Sequence, residues 1–260
     1  MKELLYSNHT AFKKENAEWI ILNLLHELRV MTAEQLNLLL NLEFEYSLSG
    51  VYYRLTSLLK SELIDYIQVQ EESNLRYFFL TKKGHNSIGG LYTFPKVPEY
   101  NLKHHVEVTN YLIESMTFAK QKSTFLLAQS ERRQMYEKKD MAKAKRGTIF
   151  HVADFVLRFE NPEREISDWH FEIELTLKSQ NRYLKAIFPK YIQFLRQKQD
   201  CHVVYVTPSQ VIYNALDDFK AYFEIKSQEK EAFDRLHIIS SSQFSEELPV
   251  LLNENEFIND

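Results

Sequence analysis

Apolar side chains in the first ninety residues recur at helical spacing and later at strand spacing. Positions three and four residues apart predict three helices, at 15–28, 32–40 and 47–61. Thr32 followed by Gln35 has the capping-box pattern that begins a helix. Two strand-like runs then predict a β-hairpin, at 63–70 and 75–80 with the polar turn 71–74 between them.

The rest of the chain alternates between the same two spacings after a stretch that holds glycine and proline. The pattern predicts a helix at 101–122, strands at 125–130, 151–159 and 169–178, a helix ending at 196, a strand at 201–207, helices at 210–224 and 230–236, and a strand at 237–239. We therefore expect an α+β or α/β fold with a first domain at 1–92, a linker at 93–100, a second domain at 101–252 and a polar tail at 253–260.

Strict alternation from 169 to 178 gathers acidic side chains on one face of a predicted strand. Glu172 and Glu174 share that face with Lys178, and Asp154 lies on the preceding strand. Carboxylates this close repel one another unless a cation lies among them, and Mg²⁺ prefers oxygen ligands. The pattern indicates a metal-dependent phosphodiesterase site; the alternative interpretation is a solvated face of the sheet.

Composition and charge narrow the class of protein. The chain has 260 residues with a net charge of −4, so DNA contact would depend on local basic patches. A single cysteine, Cys201, excludes an internal disulfide framework. Because no apolar run reaches the length of a membrane span, we expect a cytoplasmic protein that does not contact membranes.

The segment 132–146 is the main basic patch, with seven Lys and Arg against two acids. No apolar face runs through it, so a mobile loop or hairpin tip is predicted. Such a loop next to a carboxylate site could clamp a phosphate backbone; a solvated surface loop is the alternative. The residues that would contact DNA are Arg132, Arg133, Lys138, Lys139, Lys143, Lys145 and Arg146.

Three helices followed by a hairpin resemble a winged helix-turn-helix domain, as do Thr32–Leu36, Tyr52–Leu55 and Leu80–Gly84. The resemblance implies that the third helix enters the major groove of double-stranded DNA. Its DNA-binding side chains would be Ser49, Tyr52, Tyr53, Arg54, Ser57 and Lys60, with Arg76 from the hairpin. Residues 1–100 hold ten basic and twelve acidic side chains, so a module that binds protein or only packs stays open.

The predicted order of elements from 101 to 208 resembles the PD-(D/E)xK nuclease fold, a restriction-endonuclease-like mixed sheet. The resemblance makes Asp154 and Glu172 metal ligands for Mg²⁺ or Mn²⁺, with Glu131 as an additional ligand. Glu174 stands where that family carries lysine, so Lys178 and Lys185 are the candidates for its role. Without such a lysine, the domain would activate water in another way or bind DNA without cleaving it.

The second domain carries Ser130–Arg132, Ala153–Asp154, Phe171–Thr176, Arg182 and Tyr191. Together with the first domain, this pattern resembles the replication-relaxation family of plasmids and integrative elements, which is related to mobilisation relaxases. It implies a DNA nickase that acts in replication or mobilisation, by hydrolysis or through a tyrosine nucleophile, with Tyr183 and Tyr191 nearest. The alternative is a non-catalytic origin-binding or regulatory protein that recruits replication or transfer proteins, with a homodimer expected. A transcription regulator with a ligand-sensing domain is a third interpretation, although no ligand motif supports it.

Overall fold

The computed structural model describes residues 2–6, 13–69, 75–144, 152–227 and 230–254, with backbone alone at 139–144 and 227. It is a mixed α+β fold that divides into two units, Met1–Thr117 and Phe118–Asp260. The sequence analysis places the boundary at 93–100, ahead of this division. The helix after that linker belongs with the first unit because the Gln35 amide donates to the Val106 carbonyl (2.9 Å) and to Asn110 Oδ1 (2.7 Å).

The first unit combines helices with a small antiparallel sheet. Its elements are α1 (Ala17–Leu28), β1 (Val30–Met31), α2 (Ala33–Asn41), α3 (Leu48–Lys60), β2 (Ile64–Gln68), β3 (Arg76–Leu80), α4 (Lys82–Ser87) and α5 (Leu102–Ala119). The predicted helices and the antiparallel pairing of β2 with β3 are confirmed. The β1 strand adds a third member, which gives the order β1-β3-β2. The predicted turn 71–74 lies outside the described residues.

Hydroxyl side chains cap the helices of the first unit. Thr32 Oγ1 accepts from the Gln35 amide and Gln35 Oε1 accepts from the Thr32 amide, which confirms the predicted capping box. Ser47 caps α3 and Thr81 caps α4 in the same way, through one bond each. These caps satisfy amides that a helix leaves without partners at its start, so they fix where α2, α3 and α4 begin.

The second unit surrounds a mixed sheet. Its elements are β4 (Phe125–Ser130), α6 (Glu131–Ala144), β5 (Phe155–Glu160), β6 (Ile166–Ile173), α7 (Gln180–Arg182), a π-helical turn (Tyr183–Ile187), α8 (Phe188–Gln197), β7 (Cys201–Thr207), α9 (Gln210–Ser227), α10 (Lys230–Asp234), β8 (Leu236–Ser240) and α11 (Phe244–Glu254). The strand order is β4-β5-β6-β7-β8. The β4–β5 and β5–β6 pairs are antiparallel, and β6–β7 and β7–β8 are parallel. Within the described ranges, no helix is both long and apolar enough to cross a membrane.

The predicted basic loop is wrong for residues 132–144, which belong to the helix α6. The helix buries polar side chains, and for that reason it shows no apolar stripe in the sequence. Gln134 is buried and both donates to the Ala153 carbonyl and accepts from the Ala153 amide, at 3.0 Å each. Its side chain thus pairs with an extended backbone as a neighbouring strand would.

The predicted strand 169–178 ends early, at Ile173. Asp154 Oδ2 accepts from the Ile173 amide at 2.8 Å, so a carboxylate takes the place of the next backbone partner across the β5–β6 pair. The Glu174 amide still donates to the Val206 carbonyl of β7 at 2.9 Å, but Leu177, expected on the apolar face, is 44 % exposed. Glu174 and Lys178 therefore meet through a turn and not through strand alternation.

Candidate active site

Strand register brings the predicted acids to one edge of the sheet. Ser130 pairs with Phe155, and Phe155 pairs with Phe171. The next residue beyond each pair is an acid: Glu131 after β4, Asp154 before β5 and Glu172 within β6. The same edge carries the carboxyl ends of the parallel strands β6, β7 and β8, where ligands bind in many sheets of this kind.

Asp154 is fixed between β5 and β6. Its amide donates to the Phe171 carbonyl (3.0 Å) and its carboxylate accepts from the Ile173 amide (2.8 Å). Both bonds go to residues next to Glu172, so the two carboxylates are held as neighbours.

The pKa of Glu172 is strongly shifted at this edge. Burial, followed by the charge of Asp154, raises the pKa of Glu172 to about 8. A hydrogen bond from the Tyr191 hydroxyl and the charge of Lys178 oppose that rise. The Glu172 carboxylate is thus desolvated and next to a second acid, the situation that a divalent cation would relieve.

Tyrosine hydroxyls surround the acids. Tyr191, on α8, is hydrogen-bonded to both Glu172 and Tyr205, and burial raises the pKa values of both tyrosines well above their ordinary range. Burial likewise raises the pKa of Tyr183 to about 12. Because a nucleophilic tyrosine needs an accessible phenolate, Tyr183 and Tyr191 are suited to donate hydrogen bonds and poorly suited to attack a phosphate.

Lys178 reaches the acidic edge from the turn after β6. Its ammonium pairs with Glu174 Oε2, and the Tyr183 hydroxyl donates to the same oxygen at 3.2 Å. The Lys178 amide in turn donates to the Tyr183 hydroxyl at 3.3 Å. This network places a lysine next to Glu174, the acid that stands where the predicted resemblance to the PD-(D/E)xK fold would have a lysine. Lys185, the other candidate, lies exposed in the π-helical turn.

The acids do not form a closed cage of three ligands. Among the described residues, three metal-binding atoms lie within 4.8 Å of one another only in the group Asp168, His170 and Cys201. Glu131 neighbours Asp154 by register but is not part of such a group. The acidic edge therefore offers Asp154 and Glu172 as a two-carboxylate site.

On α3, the predicted DNA-binding side chains are partly engaged within the first unit. Ser49, Tyr52, Tyr53 and Lys60 are exposed, with Tyr53 at 76 %, whereas Arg54 and Ser57 are half-buried. The Tyr52 hydroxyl donates to Glu34 at 3.1 Å, and the Arg54 guanidinium lies 5.5 Å from the centre of the Tyr46 ring. From the hairpin, Arg76 stacks over Tyr66 at 4.5 Å. Tyr53 and Lys60 are both exposed to solvent.

On α6, the predicted clamp residues fall into three groups. Arg132 is buried, and Arg133 pairs with Glu137 at 2.9 Å. Burial lowers the pKa of Lys138 to about 8. The side chains of Lys139 and Lys143 and the whole of Lys145 and Arg146 lie outside the described residues. Arg132, Arg133 and Lys138 are therefore buried or paired within the protein.

The sequence analysis missed Tyr205 and the Asp168–His170–Cys201 group. Asp168 and His170 precede Glu172 in the same alternation, which was the available signal.

Comparison with known proteins finds no matching family model, no matching curated protein and no matching solved structure. The resemblance to the replication-relaxation family therefore stays a prediction.

Proposed function

We propose that this protein binds double-stranded DNA and nicks it by metal-dependent hydrolysis, in the replication or mobilisation of a plasmid or integrative element. The observation that carries the proposal is the convergence of Asp154, Glu172, Glu174 and Lys178 at the carboxyl edge of a mixed sheet. The part of the proposal that concerns a plasmid or integrative element, and its replication or mobilisation, rests on the sequence resemblance alone.

The donor set at this edge fits Mg²⁺ or Mn²⁺. Asp154 and Glu172 would hold the ion, and both offer oxygen donors. Mg²⁺ commonly binds through one or two protein carboxylates and completes its shell with water and phosphate oxygens. A bound ion of this kind lowers the pKa of a coordinated water and stabilises charge on the phosphate. The raised pKa of Glu172 supports the fit, since a cation would offset the repulsion between the two acids.

The surrounding residues would orient the acids and neutralise charge. Tyr191 directs the Glu172 carboxylate through its hydrogen bond, with Tyr205 behind it. Lys178 is held by Glu174 and Tyr183, so its ammonium has a fixed place near the acids. A fixed ammonium there could stabilise negative charge that develops on a phosphate. Burial of both Tyr183 and Tyr191 favours hydrolysis over a tyrosine-linked intermediate.

The first unit supplies the proposed DNA-binding surface. The resemblance to a winged helix-turn-helix points to α3, which presents Tyr53 and Lys60 to solvent. Hydroxyl and ammonium groups on an exposed helix suit contacts to phosphates and base edges. Replication or transfer proteins and a second copy of this chain are the proposed partners.

Nicking of supercoiled plasmid DNA tests the enzyme proposal. In Mg²⁺ or Mn²⁺, the wild type should convert supercoiled DNA to open circles, and both Asp154→Asn and Glu172→Gln should lower the rate at least about 100-fold. Glu160→Gln is the matched control, because Glu160 lies on β5 at the end away from the acids. Equal nicking by wild type and Asp154→Asn would refute the assignment.

The second candidate function is DNA binding without cleavage. Binding without cleavage is favoured by Glu174, an acid where the PD-(D/E)xK resemblance predicts a lysine that would activate water. Lys178, the nearby candidate for that role, is paired with Glu174. Gel-shift titration of Tyr53→Ala and Lys60→Ala measures DNA binding separately from nicking. Binding that weakens in both variants, together with no metal-dependent nicking by the wild type, would select the non-catalytic function.

A further inference from the structure

A second group of ligand-type side chains lies on β6, on the same face as Glu172. Asp168 pairs directly with Cys201 across the parallel β6–β7 ladder, and His170 follows two positions along β6. Directly paired residues and those two apart point to the same face of a sheet. Register alone therefore brings a carboxylate, an imidazole and a thiol together, with donor atoms within 4.8 Å of one another.

We propose that Asp168, His170 and Cys201 form a binding site for a borderline transition-metal ion of the Zn²⁺ class. Nitrogen and sulfur donors select such ions, whereas the oxygen donors of the acidic edge select Mg²⁺ or Mn²⁺. Three protein ligands with a fourth position left for water or another ligand is the usual pattern of an open zinc site. This proposal is independent of the nuclease proposal.

The surroundings hold the three donors in place. The Arg158 guanidinium contacts both oxygens of Asp168, at 2.7 and 2.8 Å, which fixes the carboxylate while each oxygen keeps another lone pair. The Phe194 ring packs edge-on against His170 at 4.8 Å between centres. His170 and Cys201 are 6 % and 8 % exposed, so the donors are buried ones rather than a chance surface cluster.

Metal binding would compete with a proton and with a nearby cation. A thiol binds a metal ion as the thiolate, so the Cys201 proton must be released. Lys138 interacts electrostatically with both Asp168 and Cys201, and its ammonium opposes a metal cation.

Cobalt titration of the full chain gives the direct test. Cys201 is the one cysteine in the sequence, so a thiolate-to-cobalt charge-transfer band can arise from no other residue. Co²⁺ should produce this band in the wild type at one ion per chain with release of a proton, and Zn²⁺ should abolish it. A wild type without the band, at Co²⁺ concentrations that saturate ordinary protein sites, overturns the proposal.

Variants then assign the ligands. Cys201→Ser should remove the band, and His170→Gln and Asp168→Asn should each weaken cobalt binding by more than the roughly 10–100-fold that an outer partner costs. Lys138→Met, which removes the competing charge, should tighten binding. Glu163→Gln, which changes an exposed acid in the turn after β5, is the control and should leave the band unchanged. Unchanged affinity in His170→Gln and Asp168→Asn, or loss of the band in Glu163→Gln, contradicts the site.

Discussion

Asp168 and Glu172 lie on the same face of β6, four residues apart, yet the protein treats their charges differently. Asp168 has a guanidinium bonded to both of its oxygens. Glu172 has a hydrogen bond from the Tyr191 hydroxyl, the charge of Lys178 in its favour and the charge of Asp154 against it. The charge of Asp168 is paired with a guanidinium, whereas burial and Asp154 outweigh the groups that favour the charge of Glu172.

The difference teaches how a structural acid is told from a functional one. A bidentate Arg–carboxylate pair offsets the desolvation of a half-buried acid, so the charge of Asp168 is balanced within the fold. For Glu172, burial and the charge of Asp154 outweigh Tyr191 and Lys178, and its raised pKa means that folding disfavours its charged form. Groups that destabilise the fold in this way cluster at functional sites.

Arg158→Ala should remove the ion pair with Asp168 and have the largest effect on stability. The change leaves the Asp168 carboxylate, 17 % exposed, without its guanidinium. We expect a loss of about 2–3 kcal/mol in the free energy of unfolding, below the roughly 3–5 kcal/mol of a fully buried pair. Urea denaturation at neutral pH measures it.

The double variant Arg158→Met/Asp168→Leu is the matched control for that prediction. Apolar side chains of similar size need no cation, so most of the lost stability should return. A double variant as unstable as Arg158→Ala would show that packing of Arg158, and not the charge of Asp168, causes the loss.

Glu172→Gln should act in the opposite direction and stabilise the protein. The folded pKa of Glu172, about 8, lies above its ordinary value of 4.5, so the unfolded chain loses this proton first. Stability therefore falls as the pH rises from 4.5 towards 8 in the wild type. A neutral amide removes this penalty, and we expect a gain on the order of 2 kcal/mol at pH 8 in urea denaturation.

Two conditions sharpen the test of Glu172. Near pH 4, where the carboxyl is protonated in both states, wild type and Glu172→Gln should have the same stability. Mg²⁺ or Mn²⁺ at pH 8 should raise the melting temperature of the wild type and leave that of the variant unchanged. If Glu172→Gln is less stable than the wild type at pH 8, folding does not disfavour the charged form of Glu172.

Buried imidazoles behind the acidic face should make a contribution to stability that opposes that of Glu172 as the pH falls. His202 Nδ1 and His237 Nε2 lie 3.2 Å apart, and both rings stack on Trp169. Burial lowers their pKa values to about 3 and about 4. Because the unfolded chain binds these protons first, the stability they contribute is present above about pH 6.5 and is lost as the pH falls towards 4.

The Glu172→Gln background removes the opposing titration of Glu172, and there a loss of roughly 1–2 kcal/mol between pH 7 and pH 4.5 is expected in urea denaturation. Adding His202→Phe should reduce this loss, because the stack on Trp169 is kept without one titrating group. Stability of the Glu172→Gln background that is constant from pH 7 to 4.5 would rule out the effect.

Local signals made the first unit and the acids predictable. The capping box of Thr32 lies within four residues of sequence, and the alternation that gave Glu172 lies within one strand. The failures have distant causes. The end of β6 depends on the Asp154 carboxylate nineteen residues earlier, and α6 is stabilised through Gln134 by backbone that follows it by the same distance. No window of the sequence shows such bonds.

Tyr191→Phe should have the smallest effect on stability, and it removes only the hydroxyl that is hydrogen-bonded to Glu172. Its loss removes the donor that lowers the pKa of Glu172 while keeping the ring that packs in the core. We expect a cost of about 1 kcal/mol in stability and a modest weakening of Mn²⁺ binding, measured by calorimetry. The same change at Tyr205, one bond further from the acid, should weaken Mn²⁺ binding less. If Tyr205→Phe has the larger effect, the tyrosines act through packing and not by orienting Glu172.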